Sequence, residues 1–174
     1  MSTDKRVKDL MKDIFEFPHI PYWFTIRQAI GIIKSAGLEK EPQQIVVLVF
    51  EEKYHLVGTL GIKEILKGLE PVFIKMSSQQ NSGLDGDLAL SLVWDTMFDM
   101  SNKELVQRPV SEILDPIEHF SGTDEHIAKA AYTMLRNGLS LLPVLEDKKK
   151  LVGIVTLIDI FNEFSGAVCK GDIR

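Results

Sequence analysis

The chain contains two copies of one pattern, and this repeat constrains its fold more than any other feature. Residues 56–66 (Leu-Val-Gly-Thr-Leu-Gly-Ile-Lys-Glu-Ile-Leu) are echoed by residues 151–161 (Leu-Val-Gly-Ile-Val-Thr-Leu-Ile-Asp-Ile-Phe). Upstream, Ile26-x-x-Ala29 and Gly37 are echoed by Ile127-x-x-Ala130 and Gly138. Earlier still, Val7-Lys-Asp-Leu-Met11 is echoed by Val110-Ser-Glu-Ile-Leu114. The copies lie further apart at their starts than at their ends, so the first is longer. Part of its excess is the polar stretch 38–43.

Each copy reads the same way by period. Residues 25–36 place Ile26, Ala29, Ile30 and Ile33 on one helix face, and residues 124–137 do the same with Ile127, Ala130, Ala131, Met134 and Leu135. Asp124 stands where a cap is expected and Gly138 where the second helix should stop. Each helix is followed by a continuous apolar run (45–50, 141–145) of the length of a buried strand. Pro143 suits an edge position, where its missing donor does no harm. A polar turn, a second strand (56–60, 151–155) and a short helix (62–67, 157–164) complete each unit. A lone unit would leave one sheet face bare, so two units packing together is the expected outcome. The expected fold is α/β of an α+β-like kind, two β-α-β-β-α repeats forming a pseudo-two-fold pair. The expected domain limits are 1–70 for the first repeat, 71–106 for an inserted loop and helix, and 107–174 for the second repeat.

Composition narrows the function classes. The 174 residues are 45% hydrophobic and 26% charged, a balance that supports a buried core. Acids outnumber bases for a net charge of −5, which argues against binding nucleic acid by general phosphate attraction and against a basic membrane-surface protein. No apolar run reaches the ~20 residues of a spanning helix, and residues 1–12 have no apolar stretch of the signal-peptide kind. The expected location is cytoplasmic. Cys169 is the single cysteine, so an internal disulfide is excluded. His19, His55, His119 and His126 are scattered, and no metal site is expected. The chain has no phosphate-binding glycine loop and no nucleophile grouped with a base, so no catalytic constellation is visible.

The repeat resembles a tandem pair of CBS domains, a family named after cystathionine β-synthase and also called a Bateman module. The second copy carries the resemblance best, through Gly138-Leu-Ser-Leu-Leu-Pro-Val144 followed by Leu151-Val-Gly-Ile-Val-Thr-Leu-Ile-Asp159. The family pattern ends on Thr/Ser-x-x-Asp, met here by Thr156 and Asp159; the first copy keeps Gly58 but has Gly61 and Glu64 at those places. The resemblance implies a non-enzymatic regulatory or sensory module. It implies binding of AMP, ADP, ATP, adenosine or S-adenosylmethionine in a cleft between the repeats, and control of a partner protein or domain. No cofactor is required; the adenine nucleotide or nucleoside is a regulatory ligand. The alternative is a dimerisation or interaction scaffold with no physiological nucleotide.

Two readings stand side by side at Thr156 and Asp159. In one, Thr156 caps a helix and Asp159 reaches back to it, which stabilises by about 1 kcal/mol and needs no ligand. In the other, the same helix start favours a phosphate and Asp159 accepts the two ribose hydroxyls. Gly61-x-x-Glu64 lacks the hydroxyl and carries a longer carboxylate, so plain capping suits it better and any site there is the weaker one. By resemblance, Ser140 lines the adenine pocket with Leu139 and Leu142 as apolar walls, Ile117 touches the base, and Ile154 completes the set. The strand positions that can be basic in related nucleotide-binding repeats are here Ser140 and Leu141, or Ile45 and Val46, so the resemblance implies that a polyphosphate would be held by amides and a single point charge.

Between the repeats, residues 77–87 read as a loop and 88–100 as a helix, apolar on more than one side through Leu90, Trp94 and Phe98. Such a helix needs more than one neighbour, so it is expected to bridge the repeats, pack on a second subunit or dock a partner, and a homodimer using at least one of these side chains is expected.

Overall fold

The computed structural model describes residues 4–37, 45–68 and 103–171. The polar stretch 38–43 and the helix expected at 88–100, with Leu90, Trp94 and Phe98, lie outside the described residues. In chain order come β1 (Lys12–Asp13), β2 (His19–Pro21), α1 (Ile26–Ala36), β3 (Val47–Phe50), β4 (Leu56–Leu60) and α2 (Ile62–Gly68). After these come α3 (Lys103–Val106), β5 (Asp115–Pro116), β6 (Ser121–Gly122), α4 (Ile127–Asn137), β7 (Leu141–Glu146), β8 (Lys150–Thr156) and α5 (Leu157–Gly171). No helix among the described residues is long and apolar enough to cross a membrane.

The chain divides into two compact units. One spans Phe17–Pro116, and the other joins Met1–Glu16 to Ile117–Arg174. Each contains a four-stranded sheet, ordered β2-β3-β4-β5 in the first-repeat unit and β1-β8-β7-β6 in the second-repeat unit. The two orders correspond strand for strand. β2 and β6 run parallel to their neighbours β3 and β7, the central hairpins β3–β4 and β7–β8 are antiparallel, and β5 and β1 close one edge antiparallel.

The correspondence shows that the two copies exchange their opening segments: Val7 to Asp13 joins the second-repeat unit, and Val110 to Pro116 joins the first. Equivalent backbone bonds hold both. Val7 N–H donates to the Glu125 carbonyl (2.8 Å) as Val110 N–H does to Phe24 (2.7 Å), and Ile127 N–H donates to Lys5 (3.2 Å) as Ile26 N–H does to Arg108 (2.9 Å). Both valines are fully buried in their new cores. The exchange also explains the Leu-Val-Gly signature of the repeat. A β-carbon on Gly58 would meet Leu114 Cδ1 at 2.5 Å and the Asp115 carbonyl at 2.6 Å, and one on Gly153 would meet the Lys12 carbonyl at 2.6 Å. Only glycine lets the incoming edge strand approach so closely.

Helix faces and strand alternation build each core. Ile26, Ala29 and Ile33 of α1 pack with Val47, Val49, Leu60 and Val110. In the second-repeat unit Ala130 and Met134 of α4 pack with Val7, Leu142, Val144 and Val155. Thr25 caps α1 through a capping box with Gln28. Gly138 takes a left-handed conformation (φ 65°) to end α4, as its position predicts.

Three expectations change. Asp124 does not cap α4; His126 does, its Nδ1 accepting the Ala128 amide at 3.1 Å. Asp124 instead pairs with Lys8 at 2.7 Å, a bond that lowers its carboxyl pKa and raises that of the lysine. The incoming N-terminal segment thus claims the residue that local pattern assigns to the helix. Pro143 lies on an inner strand rather than an edge, opposite Ile154 and one residue before the β6 pairing begins at Val144. The last helix runs to Gly171, well beyond 164.

Candidate functional site

The strongest candidate site is the turn where β8 hands over to α5. Thr156 ends the strand opposite Leu141, and Asp159 sits in the first turn of the helix. Their bonds are reciprocal, as in a capping box: the Asp159 amide donates to Thr156 Oγ1 (3.2 Å), and the Thr156 amide donates to Asp159 Oδ2 (3.2 Å). The Thr156 hydroxyl also donates to Oδ2 at 2.5 Å. The capping geometry is therefore present in full, and it leaves the second carboxylate oxygen, Oδ1, outside the cap.

That oxygen faces a cation. Lys12 Nζ lies 2.9 Å from Asp159 Oδ1, with the Asp159 side chain only 13% exposed and the Lys12 side chain 47% exposed. β1 places Lys12 there by pairing with β8 in the register Lys12↔Ile154, on the backbone approach that Gly153 permits. Sequence reasoning missed Lys12, since it resembles the other basic residues of the N-terminal segment. The available signal was the repeat itself, which aligns Lys12 with Asp115.

The remaining predicted residues divide. Ser140 joins the turn: its carbonyl accepts the Leu157 amide at 2.8 Å, and its own side chain is exposed. Ile154 is fully buried and shares a strand face with Thr156, two residues on. Leu142 is 1% exposed and turned into the core with Ala130 and Met134, which gives it a packing role. Leu139 is half-buried against that same core. Ile117 is half-buried in the connection from β5 to β6, outside the hydrogen-bonded set. In the first-repeat unit the Gly61 amide donates to Glu64 Oε2 at 2.8 Å, the cap that its residues favour. There Asp115 stands opposite Thr59, the position that Lys12 holds opposite Ile154.

The second-repeat unit has one further feature. Between α4 and α5 runs an apolar groove of about 630 Å³, lined by Leu135, Ile160, Phe161, Phe164 and Ala167, with Lys5 and Glu163 also along it. Lys5 and Glu163 are themselves paired at 2.9 Å. No group of three or more potential metal ligands occurs among the described residues.

The model of the CBS domain family matches residues 110–166. None of the curated protein sequences matches the chain. Among solved structures, it is similar to the CBS domain pair of protein MJ0100 in complex with methylthioadenosine and S-adenosyl-L-methionine. That likeness has a TM-score of 0.61 at 21% identity, over 94% of this chain and 98% of the other. It is also similar to CBSX2 in complex with AMP (TM-score 0.60, 15% identity, 93% of this chain and 97% of that one). A third likeness is to the cytosolic domain of the Mg2+ channel MgtE in complex with ATP (TM-score 0.58, 19% identity). It covers 91% of this chain, which spans about half, 48%, of that structure. At these identities the likeness is one of fold. Residues 110–166 thus match the CBS domain family, and the chain as a whole has the fold of a tandem CBS domain pair.

Proposed function

We propose that this protein is a cytoplasmic, non-enzymatic regulatory module that binds an adenosine-containing ligand at the Thr156–Asp159 turn and signals its presence to a protein partner. One observation carries the reading. Asp159 is a largely buried carboxylate whose Oδ2 is used by the cap while, among the described residues, its Oδ1 is held by the flexible Lys12 ammonium alone. An acceptor held by a movable side chain is one that a ribose hydroxyl can take over. Ser140, Leu139 and Ile117 are the expected surroundings of the base, while Ile154, like Leu142, is buried. Relatives of the same fold were solved with ATP, AMP and S-adenosyl-L-methionine, which supports the ligand class.

The proposed assembly is a homodimer, favoured by the exposed apolar groove between α4 and α5 and by the prevalence of two-fold dimers among soluble oligomers. The competing reading is a scaffold without a physiological nucleotide. A thermal-shift panel of adenosine, AMP, ADP, ATP and S-adenosylmethionine separates the two. A ligand at about 100 times its dissociation constant adds about 2.7 kcal/mol of stability, a shift of several degrees for a chain of this size. A panel with no shift favours the scaffold.

A further inference from the structure

Resting on that reading, we propose that Lys12 makes this site select an anionic adenosine ligand, a nucleoside 5′-phosphate, over the neutral nucleoside. The two oxygens of Asp159 are not equivalent. Oδ2 is satisfied by the Thr156 amide and hydroxyl at 3.2 and 2.5 Å, whereas Oδ1 has the Lys12 ammonium at 2.9 Å. A ribose diol that spans the carboxylate has to share or displace that ammonium.

The consequence depends on the ligand's charge. A neutral nucleoside takes the carboxylate and leaves Lys12 with no new partner, so the ion pair is lost. A nucleoside phosphate takes the carboxylate and brings an anion to the ammonium, so one ion pair is exchanged for another. Lysine suits this role, because it is a point charge with three donors on a flexible stem. The stem is half-exposed and can swing, while the Lys12 backbone stays fixed in the β1–β8 ladder.

The first-repeat unit offers a built-in contrast. Its position equivalent to Lys12 is Asp115, and its carboxylate at the helix start is Glu64. Two acids there repel the anionic ligand that a lysine and an acid admit in the other unit. The sign of one edge-strand residue thereby sets which repeat reads a phosphate.

Titration calorimetry of the full chain with adenosine and with AMP tests this, using wild type and Lys12→Met. Wild type is expected to bind AMP at least tenfold more tightly than adenosine. Lys12→Met should weaken AMP binding, leave adenosine binding equal or tighter, and cut the AMP-to-adenosine ratio at least tenfold. Binding of both ligands with a ratio unmoved by the substitution overturns the role of Lys12 and leaves the nucleotide-binding reading standing. Binding of neither ligand by wild type overturns both. A second measurement needs no variant: raising salt should weaken AMP binding to wild type and spare adenosine, and equal salt dependence of the two counts against the proposal.

Discussion

Gly153 lies so close to Lys12 that a β-carbon built on it would stand 2.6 Å from the Lys12 carbonyl oxygen and 3.0 Å from the sulfur of Met11. The nearer obstacle is backbone and cannot rotate away. Gly153→Ala should therefore push β1 from β8 and destabilise the protein by about 1–3 kcal/mol, the usual cost of overpacking. A β-carbon on Gly166, in α5, would meet no other described group within 4 Å beyond its neighbours and the backbone of its own helix. Gly166→Ala should stabilise by about 0.5–1 kcal/mol. Urea denaturation of the two variants gives the comparison, and equal effects would contradict the close approach.

Asp159→Ala removes the cap and the ligand's acceptor together. Intrinsic stability should fall by about 1 kcal/mol, and the thermal shift produced by nucleotide should vanish. A variant that keeps its ligand-dependent shift would remove Asp159 from the site and leave it a capping residue.

Glu125 links stability to pH. Burial pushes its carboxyl up, but hydrogen bonds from Lys129 (2.6 Å), from Ser121 (2.8 Å) and from the Gly122 amide outweigh burial and hold it below its ordinary value. A folded value below the unfolded one means that ionised Glu125 stabilises. That contribution is full above the unfolded pKa of about 4.3 and is lost as pH falls through the folded value. Glu125→Gln should cost about 0.5–1 kcal/mol at neutral pH and nothing in strong acid. Denaturation curves at both extremes test this, and a pH-independent difference would contradict the linkage.

Ligand stoichiometry should be one per chain. Thr156, Asp159 and Lys12 occur together in the second-repeat unit alone, while Gly61, Glu64 and Asp115 take their places in the other. With a single lysine for phosphate, ATP should bind no more than about tenfold (1.4 kcal/mol) better than AMP. Two sites per chain in calorimetry, or a larger preference for ATP, would overturn this.

The groove between α4 and α5 should control assembly. Leu135 and Phe161 are exposed along it, so Leu135→Asp or Phe161→Asp should convert a dimer to a monomer in light scattering without changing the circular dichroism. A dimer that persists in both variants would place the interface elsewhere.

Much of this architecture was legible because it is local. The i, i+3, i+4 apolar pattern marks α1 and α4, Gly138 marks the helix stop, and Thr156 with Asp159 spells a capping box that the structure contains. What local pattern does not carry is which unit a segment joins. Val7 and Val110 suit either core equally well as sequence, and their exchange shows only when strand pairs and the glycines beneath them are seen. Lys12 escaped for the same reason, since it meets Asp159 from the far end of the chain. His126 replaced Asp124 as the α4 cap because Lys8 arrives from that same distant segment. Leu135 shares the apolar stripe of α4 yet is exposed, because a helix stripe does not say where the core stops.

The exchanged opening segments bear on the order in which the protein is made. Every strand of the first-repeat sheet lies between residues 17 and 116, so that unit can close while the second repeat is still on the ribosome. The other unit joins an early segment to a late one, and its edge strand β1 must wait for β8 before it has a partner. Such a long-range pairing folds late and slowly. Synthesis thus delivers one finished sheet and holds the other open, and the lysine waits for its carboxylate until residue 159 has emerged.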